Sequence, residues 1–171
     1  SSFSESLALA KQLLSQNKNS KDKIYSLHAP EVCCIAKGKA HKKYEFGSKV
    51  SVLATQKSGL ILACNAHKNS YDGHLLPEII LQAESLIGKK LVANVFSDKG
   101  FRGHSYEGNS TVYHSGRKLT GKFKKMLKRR SAIEPLIGHM KSDSRLGRNY
   151  LLGVLGDKLN AIFSAAAMNL R

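Results

Sequence analysis

Residues 44–98 change hydrophobic period in a set order, and that order narrows the choice of fold more than any other stretch. In YEFGSKVSVLAT, Phe46, Val50 and Val52 alternate with polar residues; QKSG turns the chain, and LILACNAH returns as an apolar run. Two such runs around a short glycine-containing turn predict a β-hairpin. The period then becomes helical: Leu75, Leu76, Ile79, Ile80, Ala83, Leu86 and Ile87 form one stripe, with Asp72 as a plausible N-cap and Gly88 as the stop. Pro77 falls in the first turns, where proline is tolerated. KLVANVFSD follows as a buried strand ending at Asp98. Hairpin, helix and buried strand together predict an α/β fold with a mixed sheet.

The flanks add less. ESLALAKQLLSQ predicts a short amphipathic helix over 5–16, followed by a polar linker, and this helix reads as the tail of something preceding it. Residues 24–35 favour extended structure interrupted by Pro30, KGKAHKK reads as a basic loop, and STVYH as a short extended piece. A last apolar helix is expected over LLGVLGDKLNAIFSAAAMNL. At 171 residues the chain has room for one domain with a core. Cys33, Cys34 and Cys64 have neither a disulfide framework nor the paired spacing of a zinc site, and read as thiols in a reducing cytosol. No apolar run approaches a membrane span, so a membrane partner is not expected.

Charge narrows the function. There are 28 Lys and Arg against 12 Asp and Glu, a net charge of +16, and residues 99–150 alone hold 13 bases and 3 acids. A basic zone this concentrated points to a polyanion, most plausibly nucleic acid, with a merely solvated basic surface as the alternative. Within KFKKMLKRR, six bases cluster: Lys122, Lys124, Lys125, Lys128, Arg129 and Arg130. Such a cluster suits phosphate contact better than base readout. Arg102, in the glycine-rich GFRGH, suits phosphate contact in the same way, although a glycine turn explains that stretch as well.

Two acids stand out against this background. Asp98 ends an apolar strand and precedes KGF, a position equally suited to a catalytic carboxylate held by a rigid strand or to a turn-forming Asp. Glu134 is alone in RRSAIEPLIGHMK. At 100° per residue, Arg130, Glu134 and Lys141 fall within about 40° of one another, beside an apolar arc of Ile133, Leu136, Ile137 and Met140. Pro135 requires that a helix begin near it or kink there. An i,i+4 ion pair of Arg130 with Glu134 is the simpler reading of the same row.

SDKGFRGH followed by RRSAIEPLIGHMK resembles the second and third acidic motifs of DDE-type bacterial insertion-sequence transposases, in the branch with a Tyr-x2-Arg-x3-Glu-x6-Lys signature. Arg130, Glu134 and Lys141 match that spacing, whereas Leu127 stands at the Tyr position; 35 residues separate Asp98 from Glu134. KIYSLHAPEV, KGKAHKKYEFGSKVSV, NSYDGHLLPEI and LGDKLNAIFSAAAMN are similar to the same group, so the likeness runs from about residue 22 to the end. It implies an α/β fold of the RNase H-like kind, a mixed sheet with flanking helices, lacking here the first core strand. Residues 1–21 would be the end of a helical insertion plus linker, and 22–171 the C-terminal part of the catalytic domain.

The resemblance further implies metal-dependent DNA cleavage and strand transfer. Asp98 and Glu134 would be two of three carboxylates holding two Mg²⁺ or Mn²⁺ ions, supported by Arg130 and Lys141. Arg102, Lys124, Lys125, Lys128 and Arg129 would contact DNA. The partners implied are transposon ends and target DNA, with a possible homodimer, in the cytoplasm or on the nucleoid. The family's first Asp has no counterpart here, since Asp22 lies in a linker and Asp72 reads as an N-cap. A truncated form with low or no activity alone is therefore expected. The competing expectation is a non-catalytic basic protein that binds nucleic acid.

Overall fold

The computed structural model describes residues 3–37, 40–41, 43–68, 72–88, 92–114 and 119–171. Gly38, Lys39 and Lys42 of the expected basic loop, Lys90 and Leu91 of the expected buried strand, and 115–118 lie outside the described residues. The fold is mixed α/β with small sheets and flanking helices.

Helix α1 (Phe3–Ser15) buries none of its residues, and Leu7 and Leu14 stay exposed. Polar contacts tie its end down instead: Gln16 Nε2 donates to Ile24 O at 2.7 Å, and Ile24 N donates to Gln16 Oε1 at 2.9 Å. Strand β1 (Cys33–Ala36) pairs antiparallel with β2 (Tyr44–Gly47). The sequence predicts one strand across residues 44–55, but it divides after Gly47, whose φ of +143° is open to glycine and strained for other residues. The second half, β3 (Lys49–Ala54), forms the expected antiparallel hairpin with β4 (Ile61–His67).

A bulge in that hairpin sorts the core. Leu53 pairs with Ala63 and Ala54 with Ile61, so Leu62 is the extra residue and the facing of β4 changes there. Ala63 joins Leu76, Ile79, Ile80 and Ala83 of α2 (Asp72–Ile87) on one face. Ile61, Cys64 and Ala66 face the other way, against Met140 and against Ala161 and Ala165. Met140 belongs to α4 (Ile133–Asp143), and the two alanines to α5 (Gly153–Asn169). Burial pushes the Cys64 thiol up to about 12. Asn169 closes the edge of β4: its side chain accepts from Ile61 N and donates to Ile61 O, each at 2.8 Å.

Strand β5 (Asn94–Ser97) pairs in parallel with β6 (Thr111–His114), in register Asn94 with Thr111 through Ser97 with His114. Val95 and Val112 bury against the same α2 face as Ala63, so α2 packs on both the hairpin and the parallel pair. Full burial of a side chain such as Ile80 stabilises by roughly 1.5–3 kcal/mol. Helix α3 (Gly121–Arg129) leans on the parallel pair through rings: Phe96 stacks on Tyr113 at 5.2 Å, and Tyr113 meets Phe123 at 5.0 Å. The described strands thus form three separate two-stranded sheets. No helix among the described residues is long and apolar enough to cross a membrane.

Candidate nucleic-acid and metal site

Asp98 follows directly on β5, in extended conformation, and its Oδ1 accepts from Gly100 N at 2.9 Å. It therefore caps the 3-10 turn Lys99–Phe101, so the turn-forming role is present in the geometry. Asp98 is exposed, held at the end of a strand whose own Val95 and Ser97 are buried. The same turn brings in a second acid. A Cβ built on Gly100 would lie 2.6 Å from Asp72 Oδ2 and 3.1 Å from Asp98 Oδ1, so both carboxylates converge on this glycine. Asp72 is also engaged by Lys49, whose Nζ donates to Oδ1 at 2.9 Å. The ammonium partly neutralises the pair of acids, and the absent Cβ at Gly100 lets them approach.

Glu134 stands in the first turn of α4, exposed, with Oε1 3.7 Å from Arg130 Nη2. The helical stretch breaks before it. Helix α3 ends at Arg129, a 3-10 turn spans Arg130–Ala132, and Pro135 is the third residue of α4, where it forfeits no helical hydrogen bond. Of the alternatives posed by Pro135, a new start is the one adopted. Met140 turns into the core while Lys141 stays exposed, so Glu134 and Lys141 lie on the solvent side and Arg130, half-buried, lies at the boundary. Farther along, His139 Nδ1 is 3.1 Å from Asp143 Oδ2. Hydrogen bonds from Ser142, Arg171 and His139 hold the Asp143 carboxyl down at about 2.

The bases divide by role. Along α3, at 100° per residue, Phe123, Met126 and Leu127 share one arc of about 100°, Lys124, Lys125 and Lys128 occupy the opposite side, and Lys122 lies at the edge, about 40° from Met126. These four lysines are exposed. Arg102 is exposed at the end of the 3-10 turn that Asp98 caps. Arg129 is committed elsewhere: its Nε donates to Gln56 O at 2.8 Å and its Nη2 to Lys57 O at 3.0 Å, while Gln56 Nε2 donates to Met126 O at 2.9 Å. Arg129 thus fastens the β3–β4 turn to α3. No periodicity announces this clamp, because its acceptors are backbone carbonyls more than seventy residues away in sequence.

Carboxylate oxygens suit a hard cation such as Mg²⁺. Yet among the described residues no group of three His, Cys, Asp or Glu is placed to hold an ion. Asp98 meets Asp72 at Gly100, and Glu134 takes an arginine. The described residues therefore hold no complete ligand set for a divalent ion by themselves. Asp72, read from the sequence as a helix N-cap, is the acid that the fold brings beside Asp98. Comparison with protein-family models, with curated proteins and with solved structures finds no match.

Proposed function

We propose that the chain is the C-terminal part of a DDE-type insertion-sequence transposase catalytic domain, inactive in strand cleavage by itself and retaining a DNA-backbone surface. What supports the fold reading is the succession of antiparallel hairpin, helix, parallel strand pair and C-terminal helices, with β3 and β5 left unpaired to each other as an RNase H-like sheet without its first core strand would be. The observation that carries the functional reading is Asp98 at the C-terminal end of β5, followed after 35 residues by Glu134 on α4, with the lysine face of α3 between them in sequence. In this reading Asp98 and Glu134, with a third carboxylate from outside the described residues, would hold Mg²⁺ or Mn²⁺, which would supply Lewis acidity for phosphoryl transfer, and Arg130 would orient Glu134.

A second reading, a basic nucleic-acid-binding protein without chemistry, is favoured by one observation: both acids already have local partners, Asp98 the amide of Gly100 and Glu134 the guanidinium of Arg130. Mn²⁺ titration calorimetry on the purified chain, beside the double variant Asp98→Asn, Glu134→Gln, separates the two. Weak Mn²⁺ binding that the double variant loses is the expected result. Absence of binding by a folded wild-type chain leaves the non-catalytic binder.

A further inference from the structure

The connection from α4 to α5, residues 144–152, is irregular in conformation and pinned at several points. Arg145 takes a left-handed backbone, φ +59°, which a residue carrying a Cβ rarely adopts. The chain then returns against the end of α4: Leu146 N donates to Met140 O at 3.0 Å, and the Leu146 side chain joins the cluster around Met140. Arg148 N donates to Arg145 O at 3.3 Å, which sets the two arginines at the ends of one tight turn. Beyond that turn the Asn149 side chain accepts from Leu151 N at 2.9 Å and donates to Asp157 Oδ1 at 2.8 Å, so the backbone on both sides of Tyr150 is tied to α5. Helix α5 adds Ser164 Oγ, which donates to Ser144 O at 2.7 Å. It also approaches through Gly156, where a Cβ would lie 2.7 Å from the carbonyl carbon of Leu151.

This frame presents three large side chains. Arg145, Arg148 and Tyr150 are all exposed, Tyr150 by 65%. The guanidinium carbons of Arg145 and Arg148 lie 5.8 and 5.3 Å from the centroid of the Tyr150 ring, within cation–π range. Among the described residues no ion pair joins either guanidinium to an acid. The carboxylates near them in sequence are engaged, Asp143 by Arg171 and His139, Asp157 by Asn149 and Ser48. Gathering three long side chains in water costs rotamer entropy with little apolar burial to offset it. Such an arrangement on a pinned loop with a strained residue suits a binding site. A flat ring beside two flat cations matches an unpaired nucleotide, because an aromatic face takes a base and guanidiniums take phosphate oxygens. Bases inside a duplex are stacked on one another and cannot reach the ring. We propose that Arg145, Arg148 and Tyr150 form a site for an unpaired nucleotide of single-stranded DNA, its base stacked on Tyr150 and the adjoining phosphates held by the two guanidiniums. The site stands at the opposite end of α4 from Glu134, about 15 Å along the helix, and apart from the lysine face of α3.

This site rests on the reading that the chain binds DNA, and adds the form of DNA that it recognises. The test is fluorescence anisotropy of the whole chain with a labelled oligothymidine, an abasic strand of the same length, and a duplex. The abasic strand keeps the phosphates and removes what Tyr150 would stack on. Wild type should bind it about tenfold more weakly than oligothymidine. Tyr150→Ala should weaken oligothymidine binding by a similar factor, Tyr150→Phe should retain it, and neither should move abasic-strand or duplex affinity by more than about twofold. The double variant Arg145→Gln, Arg148→Gln should reduce the slope of log affinity against log salt for the single strand by about 1.4, at about 0.7 for each phosphate released. Equal wild-type affinity for oligothymidine and the abasic strand overturns the proposal, and so does a Tyr150→Ala loss that is the same for both. Either result beside duplex binding that depends on the α3 lysines removes this site alone. Absence of binding to any of the three DNAs removes the DNA-binding reading and the site together. Because the comparison of the two strands requires no variant, the test holds even if Tyr150→Ala fails to fold.

Discussion

Arg129 shows how one residue in a basic run can differ from its neighbours. Lys125, four positions earlier, is exposed, whereas Arg129 holds two turn carbonyls. Hydrogen bonds to a charged donor contribute about 1.5–3 kcal/mol each when well sheltered, and less at an exposed position. Arg129→Ala should therefore lower the urea-unfolding free energy by about 1–2 kcal/mol, and Lys125→Ala should leave it within about 0.5 kcal/mol. Equal stability of the two variants would remove the clamp. His67 gives a second residue-scale case. Its buried ring is pushed below the ordinary histidine value of 6.5 chiefly by desolvation, with Lys158 and Lys49 adding to this and Glu78 opposing it. Its Nε2 has no hydrogen-bond partner among the described residues. The unfolded chain then binds more protons than the folded chain as pH falls through 6.5 toward the lowered folded value, and stability drops over that window. Urea midpoints measured from pH 7.5 to pH 5 should fall in the wild type and flatten in His67→Gln; identical profiles would sink the assignment.

At the scale of elements, α3 is the part that should meet a polyanion. Four lysines on the solvent side of one short helix can contact several phosphates without reading bases. For duplex DNA each neutralised phosphate contributes about 0.9 to the slope of log affinity against log salt. The triple variant Lys124→Ala, Lys125→Ala, Lys128→Ala should reduce that slope by about 2–3, uniformly across sequences. An unchanged slope would mean that DNA meets another face. The elements were legible in the sequence wherever a period was long: the stripe from Leu75 to Ile87 gives α2, Gly88 stops it, and the apolar return after QKSG gives β4. They were less legible where a single backbone angle decided. Gly47 splits an alternating run into β2 and β3, and alternation carries no mark of such a split. The site was legible as isolated residues, Asp98 at a strand end and Glu134 beside Arg130. The convergence of Asp72 on Gly100 was not, because it depends on how the start of α2 meets the turn after β5.

At the scale of the molecule, the β3–β4 and β5–β6 sheets are joined by side chains, with no common ladder among the described residues. Helix α2 contributes Leu76, Ile79, Ile80 and Ala83 to a cluster that also holds Ala63 from the hairpin and Val95 and Val112 from the parallel pair. The second cluster, around Met140, draws on β4, α4 and α5 and on no residue of β5 or β6. Deleting buried side-chain volume should therefore have consequences that depend on which cluster is touched. Ile80→Ala and Met140→Ala each remove a side chain with no exposed surface and should each cost about 2–5 kcal/mol. Native-state hydrogen exchange should separate them. Ile80→Ala loosens the shared cluster, so amides of β4, β5 and β6 should lose protection together. Met140→Ala should lower protection in β4, α4 and α5, and sub-global opening should leave the β5–β6 amides closer to their wild-type values. A uniform loss in both variants would mean that the whole chain opens as one cooperative unit, with the gap between β3 and β5 of no mechanical consequence. A loss confined to each variant's own cluster locates the weakest junction between the two clusters, on either side of β4.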